Sequence, residues 1–168
     1  MATDRKVEQA TRTMLGHAIR HELDELAALM RTAENETQVG SALLCLMTSA
    51  YIAIEASERW PTDADLREIA KNAARPVTRL DIGEQEIYAY LSRVALGSET
   101  PGDVFPAQSA ATVPLYATAN LLVAFRPHDK DWREYLDQIW VATDAADHTS
   151  LAVLPALMFR AFLESASR

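Results

Sequence analysis

The sequence predicts an all-α fold, a single-domain bundle of six to seven antiparallel helices spanning residues 1–168. Three observations lead there. Gly is scarce, at five residues, and no stretch alternates polar and apolar as a half-buried strand does. The chain holds 29 Ala and 13 Arg against 3 Lys, a bias of the kind GC-rich bacterial genomes produce and one that favours helix. Two long uncharged runs, 38–54 and 104–125, alternate with amphipathic segments able to cover them.

The first helix is expected over 4–33. Leu15, Ala18, Ile19, Leu26, Leu29, Met30 and Ala33 recur at about 100° per residue and share one face. Glu22 falls on that face too. A buried carboxylate is costly unless paired, so Glu22 calls for an Arg or hydroxyl partner, or an interface. A raised pKa there would mark a functional site.

The second helix, over 37–59, carries "QVGSALLCLMTSAYIAI". A membrane span wants about 20 apolar residues. This run is shorter, is broken by Gly40, Ser41, Thr48 and Ser49, and is flanked by acids, so it reads as a buried central helix. "WPTDAD" opens the third helix, with Thr62 or Asp63 as its cap. Pro76 ends it near Arg75. The fourth runs from Gly83 to Leu96 with Ile87, Leu91 and Val94 inward, and Gly97 stops it.

"GSETPGDVFPAQS" is a hinge, too short for a domain linker. The fifth helix covers 112–125, with Pro114 in its first turn. If Asn120 faces inward it needs a hydrogen-bond partner. Asp131 and Glu134 have capping-box spacing at the head of the sixth. A seventh, over 149–165, is kinked or started late by Pro155. The phrase P-x-D-x-D-Ø-R-E-Ø (Ø apolar or aromatic) occurs from Pro61 and again from Pro127. It suggests a duplicated three-helix unit, 38–97 and 104–165, behind an N-terminal helix.

The net charge of −8 and pI near 5.0 disfavour non-specific binding to nucleic acid or anionic membranes. The start has no apolar core of signal-peptide length, and the single Cys45 has no disulfide partner in the chain, so a cytoplasmic location without membrane insertion is expected.

Candidate chemistry is sparse. His17 and His21 stand four apart with Glu25 a turn beyond, a spacing that two metal ligands can use. The zincin pattern needs Glu directly after the first His, and Ala18 is there, so no metal or other cofactor is assigned. Cys45 lies among Leu and Met, where nothing activates a thiolate. Trp60, Trp132, Tyr135 and Trp140 read as corner packing. No residue nominates itself as catalytic.

Arg67, Lys71, Arg75 and Arg79 fall four apart and suggest a weak partner-binding stripe. Together with residues 65–93 they invite a helix-turn-helix reading. Gly83 and the acids Asp81, Glu84 and Glu86 stand where a recognition helix would face phosphate. The reading reached is a non-catalytic interaction or regulatory protein, acting as a homodimer and open to other protein partners. Two alternatives stand beside it: a DNA-binding regulator using 65–93, and a small-molecule sensor or enzyme. The last would hold an apolar pocket between the second, fifth and seventh helices, near Tyr51, Tyr116 and Asn120.

Overall fold

The computed structural model describes residues 2–74 and 82–146, and all regular structure among them is helical. In chain order the helices are α1 (Ala2–Ile19), α2 (Leu23–Thr32), α3 (Asn35–Ser57), α4 (Asp63–Ala73) and α5 (Glu84–Ala89). A π-helical segment, Tyr90–Ala95, continues α5. One-turn α6 (Pro101–Val104) and α7 (Ala107–Ala110) follow, then α8 (Val113–Phe125) and α9 (Trp132–Ala146). The seventh helix expected over 149–165, and with it the end of the second expected repeat, lies outside the described residues.

At the centre is α3, which touches α1, α4, the π segment, α8 and α9. By length and composition this helix could cross a membrane. Here it is covered by protein, burying Leu44, Cys45, Met47, Ala50, Ile52 and Ala53. Each large aliphatic side chain buried this way contributes about 1.5–3 kcal/mol. It also buries Ser41, Thr48 and Ser49, and every one of these hydroxyls is hydrogen-bonded.

Thr11 of α1 donates to Ser41 Oγ at 2.8 Å. Ser49 Oγ lies 2.8 Å from Thr118 Oγ1 of α8 and accepts from Tyr90 Oη at 3.1 Å. Trp140 Nε1 of α9 donates to Thr48 Oγ1 at 3.0 Å. No buried side-chain nitrogen or oxygen among the described residues is left without a partner, the buried Asn120 included. Gly40 permits the close approach of α1, since a Cβ there would stand 2.8 Å from Val7 Cγ1.

The single helix expected over 4–33 is two. The chain leaves α1 through His21 at φ 62°, in the left-handed region. Glu22 N–H donates to the His17 carbonyl and His21 N–H to that of Ala18, the paired bonds of a Schellman ending. Such endings favour Gly, and a His there gives no sequence signal. The periodicity continued across the corner because Leu26 returns to the core after it. Glu22 therefore does not join the apolar face. It caps the corner, half-buried, and accepts from Arg20 Nε at 2.8 Å beside His17 Nδ1 at 3.0 Å.

Thr62 caps α4 in a reciprocal box with Asp65. Gly97 ends the π segment, but not through positive φ. A Cβ there would collide with the Arg93 backbone, so the residue is required by close approach. The expected hinge instead forms α6 and α7, with Thr100 and Asp103 boxing the first.

The two P-x-D-x-D phrases open their helices differently. In the first, Thr62 is the cap and Asp65 lies inside the helix. In the second, Asp131, the counterpart of Asp65, itself accepts from Glu134 N–H and precedes Trp132. Their apolar positions agree: Leu66, Ile69 and Tyr135 are buried and Trp132 half-buried.

Two stability changes follow. Thr118→Val removes the hydroxyl joining α8 to α3 and is expected to cost about 1–2 kcal/mol in denaturant unfolding. His21→Gly relieves a left-handed residue with a Cβ and is expected to stabilise by about 1 kcal/mol in the same measurement.

Candidate functional site

A largely apolar cleft of ≈ 210 Å³ opens where α1, α3 and the head of α8 meet. Met14 and Met30 form walls, Pro114 and Leu115 stand opposite, and Cys45 and Ser41 lie at the α3 side. The rim carries Val39, 53% exposed, the one large apolar residue of α3 that the fold leaves open among the described residues. Gln38 holds that rim in place. Its Nε2 donates to the carbonyls of Met30 at 2.9 Å and Ala33 at 3.0 Å, tying the end of α2 to α3. No charged side chain is among the described residues lining the cleft, so it accepts apolar groups. Burial pushes the Cys45 thiol up to about 12, so at neutral pH it is a protonated, weakly polar surface.

None of these lining residues stood out in the sequence as a site. A helix that is uncharged all round does not show which face the fold will leave open. The methionines belong to faces that read simply as core.

The basic stripe is differently placed. Arg67 is exposed but engaged: its Nε donates to Asp63 Oδ2 at 2.9 Å and its guanidinium lies 4.3 Å from the Tyr88 ring centroid. Tyr88 Oη donates to the other oxygen of Asp63, so the three side chains clamp α4 to α5. The hydrogen bond from Tyr88, then that from Arg67, holds the Asp63 carboxyl below the usual carboxylate range. Lys71 is exposed on α4, and Arg75 and Arg79 lie outside the described residues. The described part of α4 ends at Ala73 and α5 begins at Glu84. Arg67 thus serves the clamp, while most of the α4–α5 connection, residues 75–81, lies outside the described residues.

Tyr51, Tyr116 and Asn120 do not line the cleft. Tyr51, half-buried on α3, bonds to Glu55, which also accepts from Tyr135 Oη of α9 at 2.9 Å. Burial first, and the Glu55 carboxylate second, raises both phenols. Tyr116 is half-buried and Asn120 buried on α8. The remaining wall of that expected pocket, the seventh helix, lies outside the described residues.

His17 points Nδ1 at Glu22, while His21 and Glu25 sit beyond the corner, exposed. No three His, Cys, Asp or Glu side chains gather as a metal site among the described residues. The Glu22 carboxyl is lowered rather than raised, by its bond to His17 first and Arg20 second, which makes it an ion-paired corner. Of the aromatics, Tyr135 and Trp140 are core, while Trp60 and Trp132 are half-buried.

Comparison of the chain with protein-family models, with curated proteins and with solved structures finds no match.

A carboxyl pKa depressed in the fold contributes stability above its unfolded value, and that contribution is lost as pH falls through the folded value. The α4–α5 clamp is therefore expected to hold at neutral pH and loosen only below the ordinary carboxylate range. In a carboxyl-carbon NMR titration, Asp63 should titrate below the ordinary range of an aspartate side chain and move back up in Tyr88→Phe. An unshifted Asp63 in the unmutated protein would refute the clamp.

Proposed function

We propose that the protein is a non-catalytic interaction protein, a soluble antiparallel bundle working in the cytoplasm as a homodimer, with the α1–α3–α8 cleft as its docking site. The observation that carries this reading is the open apolar cleft with Val39 exposed on its rim. A long amphipathic first helix could pair with a second copy only through its apolar face. That face is already used, since Val7, Met14, Leu15 and Ala18 are buried within the chain. The cleft takes over as the surface available to a second copy.

Size favours a side chain over a separate small molecule. A volume of ≈ 210 Å³ falls short of the roughly 300–1,000 Å³ of drug-sized sites. It suits one or two apolar side chains from a facing surface, and Val39 of one copy beside the cleft of the other gives a two-fold contact its self-complementary form. Methionine walls adapt to what enters, because the thioether is flexible and polarizable.

Light scattering after size exclusion is expected to give about twice the chain mass of 18.6 kDa at micromolar concentration. Val39→Asp should return the monomer with its helical circular dichroism intact. A monomeric mass for the unmutated protein removes the homodimer. A dimer indifferent to Val39→Asp removes the cleft from it.

A further inference from the structure

A second surface carries chemistry of the opposite kind. In a chain of net charge −8, Arg12, Arg20 and Arg133 line a single groove of ≈ 230 Å³ between α1 and the head of α9, together with Trp132, Thr13 and Gly16. Each guanidinium is held in a way that leaves donors over. Arg20 gives only its Nε to Glu22, at 2.8 Å. Its two terminal nitrogens lie across Gly16, where a Cβ would stand 3.1 and 3.3 Å from them. Glycine at this helical position makes room for the guanidinium against the groove floor. Arg12 gives one terminal nitrogen to Asp137 and rests 4.6 Å from the Trp140 ring centroid. Arg133 lies 5.0 Å from the Trp132 ring centroid and has no carboxylate partner among the described residues.

We propose that this groove is an oxyanion site that takes a phosphomonoester small molecule, bound by the free N–H groups of Arg20 and Arg133 with Arg12 alongside. Planar guanidinium forks match phosphate geometry and stay charged at every physiological pH. Indole stacking restrains two of the three, so less side-chain freedom is lost on binding. Two carboxylates, Glu22 and Asp137, face three guanidiniums, which leaves a net positive charge for an oxyanion to meet. The site is independent of the docking cleft and stands or falls separately.

The test is calorimetric titration of the full chain at low salt with phenyl phosphate, inorganic phosphate and benzoate. Phenyl phosphate is expected to bind saturably, and Arg20→Met or Arg133→Met to weaken it about tenfold each, the loss of one charge-assisted hydrogen bond. Arg20→Lys should recover part of the affinity, since it restores the charge without the fork. Arg67→Met, on α4, should leave binding unchanged. Absence of saturable binding overturns the proposal. Equal loss in Arg67→Met, or full affinity in both groove variants, reduces it to general charge attraction and overturns it too. Benzoate binding as tightly as phenyl phosphate overturns the assignment to phosphate.

Discussion

The hydroxyl contacts along α3 are the constraint on which the rest of the structure depends. A helix almost without charge can be buried on every side, but apolar packing alone does not say at which angle or height each neighbour should lie. Ser41, Thr48 and Ser49 supply that information. They bind Thr11 of α1, Trp140 of α9, and Thr118 of α8 with Tyr90 of the π segment. A slipped neighbour would leave a buried hydroxyl unpaired, at a cost of about 1–3 kcal/mol. That is a large share of the roughly 5–15 kcal/mol by which a domain is stable. Hydrophobic burial thus holds the helices together, and a few polar atoms select one arrangement.

The same economy of polar groups appears at the corners. Glu22 receives Arg20 and stands beside His17 where α1 turns into α2, Asp63 joins Arg67 and Tyr88 between α4 and α5, and Arg93 grips Glu99 after the π segment. These exposed ion pairs add little stability individually. Their effect is geometric, setting where a chain that has left one helix must begin the next. Engagement of Arg67 in such a clamp also changes what the basic stripe means. A side chain that reads as an unpaired cation in the sequence is structural in the fold, whereas Arg133, its counterpart in the second P-x-D-x-D phrase, has no carboxylate partner among the described residues.

Two of the openings among the described residues differ sharply in character. The α1–α3–α8 cleft is apolar and rimmed by Val39. The α1–α9 groove is cationic and floored by Gly16. Both are built on α1, whose inner face packs on α3 and α8. One helix therefore borders both.

By itself the sequence determined the all-helical class and the identity of α3 and α8 as the buried helices. It also narrowed the α4 cap to Thr62 or Asp63, ended that helix ahead of Pro76, and placed the ending at Gly97. These are local properties, decided by composition, by periodicity and by what Pro, Gly and Thr do to the backbone within one turn. Only the tertiary structure decided that 4–33 breaks at His21, that Glu22 is an ion-paired cap, and that Arg67 is spent on Asp63 and Tyr88. The cleft and the groove belong to this second group. The 100° periodicity records that a residue faces other residues but not which ones. A left-handed His, a clamped Arg and an open face of a uniformly apolar helix depend on partners tens of residues away, and no window along the chain contains both members.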